Sequence, residues 1–471
     1  MKPSSKKAWQ WLFVVLVYAL VVWVIPKPAA VKPEGWRLTG IFAATIAGLL
    51  LQPIPGGGLV LLALVLTTLF GGLTLASALS GYSEPTVWLV MAAFFISRAL
   101  IKTGLARRMA LFFVRLFGKS SLGICYALSL SGMPLASIIP SNSARTGGII
   151  LPIARSIAEL YGSLPGATAG LLGSFLMTGV YQAGCVTLAM FLTGQVGNLQ
   201  AAQIATTQFG YPVTWASWLL AGIVPGLCSL ALVPLVVYRL NPPTIKKTPE
   251  AAAFAAREIK AMGPMKRHER IVTAVFLCVC GLWITSSMHK LDVTVTALLG
   301  GVVLLLTGVL EWEDVKNEKA AWDIFVWYGG VLRLGKALGD TGVMTELAKG
   351  VSSLLPGAGW IGLFVVALLV YFYASYGFAS ITAHFLAMFP AFLAILAAKG
   401  APMGLTVYAF ACFANFGAGL TNYGTVPGPM IFSLDYVSLR KWWMIGFPVS
   451  IVNLAIWSTV GFAWWKLLGL W

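Results

Sequence analysis

The chain has 471 residues, of which 59% are hydrophobic and only 10% charged, with a formal net charge of +17. Soluble domains carry about 25% charged residues, so the composition excludes an ordinary soluble protein and indicates a polytopic membrane protein in a lipid bilayer. The cations cluster in short loops between apolar spans, which is the positive-inside pattern and excludes nucleic acid as a partner.

Ala8–Ile25 reads as a retained first span behind a basic N-terminus, with no cleavable signal and no Ser/Arg-rich transit peptide. A Pro-rich loop leads to spans at 38–53 and 58–73, separated by a Pro-Ile-Pro-Gly-Gly-Gly turn. A further span covers 86–103. Residues 104–119 carry Arg107, Arg108, Arg115 and Lys119 among apolar residues and read as an amphipathic surface helix.

Two apolar stretches, 122–139 and 145–161, then flank the polar run Ser141-Asn142-Ser143-Ala144-Arg145-Thr146. Pro140 before it and Gly147-Gly148 after it favour a break. The reading is a re-entrant hairpin with this motif at its tip, because non-helical backbone at membrane depth is tolerated only beside protein or a watery cavity. Residues 166–198 exceed one span and are expected to unwind near Thr193-Gly194; 214–239 is the next span.

The linker 240–270 holds seven Lys and Arg residues and is expected to be cytosolic. Spans follow at 271–286, 291–310 and 321–339, with a short surface helix at 340–353. The hairpin 358–398 carries Ser380-Ile381-Thr382-Ala383-His384. A long span, 402–432, breaks near Thr421-Asn422, and 443–467 is the last.

The second half repeats the first. Ser141 and Ser380 are 239 residues apart. Arg98–Gly104 matches Lys336–Gly342, and Trp218/Gly222 match Trp442/Gly446. Each half makes an odd number of crossings, so the second is inverted relative to the first. The chain therefore divides into 1–37 (N-terminal helix and loop), 38–239 (first repeat, hairpin 121–161), 240–270 (linker) and 271–471 (second repeat, hairpin 358–398). The expected location is the inner (plasma) membrane, with a cytoplasmic N-terminus and an external C-terminus.

Paired polar breaks in two inverted halves mark the binding site of a transporter. At each tip the second hairpin arm presents free backbone N–H groups and a positive dipole end, and Ser and Thr hydroxyls add donors. Arg145 contributes a fixed guanidinium and His384 a titratable cation. Nothing acidic adjoins either motif in sequence, so the missing counter-charge is assigned to the ligand: an anion with two negative ends, such as a short dicarboxylate. Taken singly, Ser141 and Ser380 read equally well as helix N-caps, Arg145 as a snorkelling side chain and His384 as a core histidine. The alignment of all four favours the site. Thr193-Gly194 and Thr421-Asn422 read either as unwound backbone completing the site or as plain kinks. Arg98 and Lys336 read as snorkelling scaffold residues. The six cysteines lie in apolar stretches without metal-ligand spacing, and no catalytic dyad or nucleotide loop is present; no metal, cofactor or enzymatic activity is expected.

Ser-Asn-Ser-Ala-Arg-Thr followed by Gly-Gly-x-x-x-Pro, together with Ser380–His384 and Leu420-Thr421-x-Tyr423-Gly424, resembles the divalent anion/sodium symporter family. The likeness is greatest to its 2-oxoglutarate/malate translocator and citrate/succinate antiporter branch. The resemblance implies an all-α homodimer of the elevator type, with about eleven transmembrane helices per protomer besides two opposed hairpins, a scaffold domain and a mobile transport domain. It also implies a di- or tricarboxylate substrate, bound by Ser141, Asn142, Ser143, Arg145, Thr146, Ser380, Thr382 and His384, with Thr193, Gly194, Thr421 and Asn422 at the breaks. Sodium-coupled members of the family carry Ser-Asn-Thr in both hairpins. Here Ile381 stands where the second Asn would be and offers no oxygen to a hard cation. The expectation is therefore sodium-independent antiport of C4–C5 dicarboxylates, with a sodium-coupled di/tricarboxylate symporter as the alternative, since Asn142 is retained.

Overall fold

The structure is a computed structural model that describes residues 3–343, 345–346, 349–350, 357 and 359–471. Residues 344, 347, 348 and 351–353 of the surface helix expected over 340–353, and residue 358 at the start of the second hairpin, lie outside the described residues. Among those residues the chain is all-helical, with one isolated bridge between Ser120 and Lys247.

The first half begins with α1 (Pro3–Ala19), α2 (Pro33–Leu51), α3 (Gly56–Phe70) and α4 (Pro85–Lys102). Pro33 and Pro85 open their helices at positions where the missing N–H is harmless. Then come α5 (Leu105–Phe117), α6 (Ser121–Ala136) and α7 (Leu151–Leu160). The π-helical stretch Ser143–Ile150 runs directly into α7. The half ends with α8 (Gly173–Met190), α9 (Val196–Phe209) and α10 (Trp215–Leu240). A Thr214/Ser217 capping box starts α10.

The linker folds into α11 (Pro249–Ala261). It is tied to the first half: the Ser121 N–H donates to the Lys246 carbonyl (3.1 Å) and the Thr248 N–H to that of Lys119 (2.9 Å). The Tyr161 hydroxyl donates to Glu250 (2.6 Å), which holds that carboxyl below its ordinary range. Arg107 pairs with Glu258 (2.7 Å). Arg108 reaches both the Gly263 carbonyl (2.9 Å) and Glu269 (2.7 Å).

The second half runs through α12 (Arg267–Ile284), α13 (Val293–Leu306), α14 (Lys319–Asp340), α15 (Trp360–Tyr373), α16 (Ile381–Ala398), α17 (Met403–Gly417) and α18 (Leu439–Ile456), the last continuing to Leu467. Its order matches that of α2, α3, α4, α6, α7, α8 and α10. Seven described helical segments are long and apolar enough to cross a membrane, two of them the arms of the second hairpin, and α3, α6 and α13 are shorter apolar helices. Several remaining expected spans carry polar groups that a hydropathy window penalises; in α8, Ser174, Thr178, Gln182 and Thr187 are all buried. α8 and α17 are buried on all sides and form the centre of the bundle.

Arg98 and Lys336 do not snorkel alone: each lies 3.6 Å from an acid, Asp314 and Glu84 respectively.

The match between Trp218/Gly222 and Trp442/Gly446 has a packing basis. A Cβ on Gly222 would lie 2.8 Å from the Met190 carbonyl oxygen; on Gly446 it would lie 2.9 Å from that of Gly419. Each terminal span thus lies flat against the unwound end of a central helix, α10 on α8 and α18 on α17. Overpacking such a contact costs about 1–3 kcal/mol. Gly222→Val and Gly446→Val are each expected to lower the melting temperature of the detergent-purified protein by several degrees, and unchanged melting would overturn this account.

Candidate functional site

Both hairpins break where the motifs stand. α6 ends at Ala136, and helix resumes past Ser141 in the π-helical turn at Ser143. α15 ends at Tyr373, passes through a 3-10 turn to Gly377, and α16 starts after Ser380. At the first tip the Ala144 N–H donates to Ser141 Oγ (3.2 Å), which is also 2.9 Å from Ser143 Oγ. At the second, Ser380 makes no side-chain cap, and the first amide bonded within the helix is that of His384, to the Ser380 carbonyl. The N–H groups of Ile381, Thr382 and Ala383 are left at the helix mouth.

The two tips meet at one cavity of about 300 Å³. Ser141, Asn142 and Ser143 line it from the first hairpin and Ser380, Ile381 and Thr382 from the second. Gln195 and Thr425 line it from the two helix breaks, and Phe94, Asp323 and Trp327 complete the wall from α4 and α14.

The breaks are held across the halves. Gln195 Nε2 donates to Asn415 Oδ1 (2.5 Å), and Asn415 Nδ2 to Asn198 Oδ1 (3.1 Å). Asn198 Nδ2 reaches the carbonyls of Leu188 (2.7 Å) and Phe191 (2.9 Å), which the end of α8 leaves unpaired. Gln182 Nε2 donates to the Gly419 carbonyl (2.8 Å), and the Tyr181 hydroxyl lies 2.9 Å from the carbonyls of Ala418 and Thr421. The second break's backbone is thus satisfied by Tyr181 and Gln182 of the opposite half, the first break's by Asn198 of its own half, and Asn415 joins the two.

Five of the twelve residues picked from sequence therefore share the cavity: Ser141, Asn142, Ser143, Ser380 and Thr382. The other seven lie off its wall. Arg145 is completely buried. Its guanidinium donates to the carbonyls of Ile139 (2.8 Å) and Gly194 (3.2 Å) and to Asn142 Oδ1 (3.4 Å). Thr146 donates to the same Asn142 oxygen at 2.9 Å. Thr193 donates to the Ser137 carbonyl (2.5 Å) and accepts from Trp215 Nε1 (3.1 Å), fastening the break to the hairpin. His384 Nε2 lies 2.8 Å from the Tyr371 carbonyl, with its ring against Tyr371 and Phe378. Thr421 Oγ1 and Asn422 Oδ1 are buried without a partner among the described residues.

Two expectations are corrected. The tips do not present two side-chain cations to a shared space: Arg145 turns back to carbonyl oxygens of its own hairpin and the neighbouring break, and His384 turns along α16 onto α15. Nor is the surroundings free of acid, because Asp323 lies on the cavity wall.

The chain matches the family described as "Sodium:sulfate symporter transmembrane region" over residues 5–471. It belongs to the divalent anion/sodium symporter family. The chain is thus a multi-pass membrane transporter and not an enzyme. It is 43% identical over 98% of its length, and 96% of the relative's, to YflS of Bacillus subtilis, whose name provisionally gives it as a malate transporter. It is 41% identical to the chloroplast Dicarboxylate transporter 1 of Arabidopsis thaliana, covering 98% of this chain and 83% of that one. The crystal structure of the Alcanivorax borkumensis YdaH transporter aligns over 99% of both chains with a TM-score of 0.59; at 14% identity, that likeness concerns the fold alone.

Gln195 lies beside the break expected near Thr193-Gly194 but is not among the expected site residues. Asn415, a polar side chain in the middle of an apolar span, was a readable signal. Asp323, a carboxylate within the expected span 321–339, was another, whereas Thr425 and Trp327 carried none.

Proposed function

We propose that this family member exchanges C4–C5 dicarboxylates such as malate, succinate and 2-oxoglutarate across the membrane, without sodium, by an elevator movement. The single observation that carries the reading is the setting of Arg145. Its guanidinium occupies a pocket of oxygen atoms from Ile139, Gly194 and Asn142, between the first tip and the first break. Oxygen-only surroundings are what a hard cation requires. The chain fills that position with a charge of its own, and Asn142 Oδ1 is already engaged by Thr146 and Arg145.

Exchange follows from the same charge. No carboxylate pairs with Arg145 among the described residues. A bound sodium ion can leave an empty carrier; a guanidinium cannot. The empty mobile body therefore keeps a buried positive charge that opposes crossing the apolar barrier, and a dianion relieves it. The Ser141, Ser143, Ser380 and Thr382 hydroxyls and the open N–H groups of α16 supply donors for two carboxylates. The cross-half bonds join hairpins, breaks, α8 and α17 into one unit, the candidate moving body, with α2–α4 and α12–α14 as the scaffold. The names of YflS and the Arabidopsis protein support the substrate class. A homodimer in the inner membrane, with a cytoplasmic N-terminus and an external C-terminus, belongs to the same reading.

One observation favours sodium coupling instead: Thr421 Oγ1, Asn422 Oδ1 and Ser375 Oγ, near the second tip and break, are buried oxygen atoms without partners among the described residues. Proteoliposomes separate the two. Labelled malate is expected to enter vesicles preloaded with malate or 2-oxoglutarate in sodium-free buffer, and not to enter empty vesicles. Sodium-dependent uptake into empty vesicles would establish symport and overturn exchange.

A further inference from the structure

Among the described residues, Asp323 is the only charged one on the wall of the cavity that the two tips share. An acid in a site read as binding an anion calls for an explanation. The residue stands on α14, which packs against α2, α3 and α4 rather than within the hairpin body. It is exposed, and it makes no hydrogen bond or ion pair among the described residues. Its Oδ1 lies where a Cβ on Gly57 would be only 3.3 Å away. Gly57 belongs to the first turn of α3, whose positive dipole end is favourable to a carboxylate. The charge is thus placed and supported, yet it is not spent on a salt bridge.

We propose that Asp323 is the specificity-determining residue of the cavity, a fixed negative charge that admits dicarboxylates and rejects tricarboxylates. This rests on the dicarboxylate reading above. The donors lie at two places, Ser141/Ser143 on one tip and Ser380/Thr382 on the other, so a guest with two carboxylates is satisfied end to end. A third carboxylate, on a central carbon, has to face the remaining wall. There it meets Phe94, Trp327 and Asp323, which offer apolar surface and a like charge. Two like unit charges within several ångströms at a partly screened site disfavour binding on the order of ten- to a hundredfold.

The test compares external competitors of labelled malate entry into malate-loaded, sodium-free proteoliposomes. For the wild type, tricarballylate is expected to compete at least about tenfold more weakly than malate. Its monoamide at the central carboxyl, with the same skeleton and two charges, is expected to recover most of that difference. D323N is expected to narrow the tricarballylate-to-malate ratio about tenfold and D323E to retain it, read as ligand-induced shifts in melting temperature should either variant exchange poorly. A wild type that takes tricarballylate as well as malate, or no better as the monoamide, overturns the proposal. So does a D323N protein with an unchanged ratio. Absence of malate exchange by the wild type would instead overturn the reading on which the proposal rests.

Discussion

Arg145→Met is expected to reduce malate exchange at least about a hundredfold, equivalent to roughly 2.7 kcal/mol. The substitution strands the Ile139 and Gly194 carbonyls in a site from which water is excluded. Each unsatisfied buried group costs about 1–3 kcal/mol. It also removes the positive charge nearest the first tip, so anion affinity falls with local order. Arg145→Lys separates these effects. The ammonium keeps the charge but lacks the planar fork that reaches two carbonyls and an amide oxygen together. An intermediate loss, near tenfold, is expected. Counterflow rate and the melting temperature of the purified variants measure both. Wild-type exchange by Arg145→Met would remove the guanidinium from the mechanism.

Asn415→Leu is expected to lower the melting temperature markedly and to reduce exchange at least about tenfold. Leucine fills a similar volume, so the loss isolates hydrogen bonding. It leaves Gln195 Nε2 and Asn198 Oδ1 without Asn415 as their partner between the two breaks. Gln195 lines the cavity, so the disturbance reaches the guest directly. Asn198→Leu damages the same network from the other side. The double variant is expected to lose less than the sum of the single ones, because residues sharing a network are not additive. Additive losses would show that the two asparagines act independently.

These side chains indicate what could be read in advance. The hairpin tips were legible because their signal is local and duplicated: Pro140 lies in the break, and Ser-x-Ser/Thr-Ala recurs in the second half, whereas Gly147-Gly148, expected to favour a break, lie inside the helical stretch Ser143–Ile150. The repeat of Trp218/Gly222 in Trp442/Gly446 was legible for the same reason, and a shared close contact explains it. Where Arg145 points was not legible. A chain shows that a cation lacks a neighbouring acid, but carbonyl groups at a distant break carry no residue identity that could announce them as partners. The place of Asp323 was hidden in another way: it reaches the cavity only because α14 lies beside both tips. His384 illustrates the limit of spacing arguments, since one helical turn brings a residue back to the same face but does not decide which neighbour that face meets.

The attachment of α11 bears on where this polypeptide could be cut in two. It is bound to the first half by Tyr161 and Arg107; Lys119 and Ser121 hold the chain that leads into it, and Arg108 holds Gly263 and Glu269 beyond it. A break placed ahead of α11 would sever a strap from the platform it clasps. A break just beyond Gly263 leaves α11 on its platform and parts only the Arg108–Glu269 pair of these fastenings, so co-expressed pieces split there should reassemble far better than pieces split before Pro249.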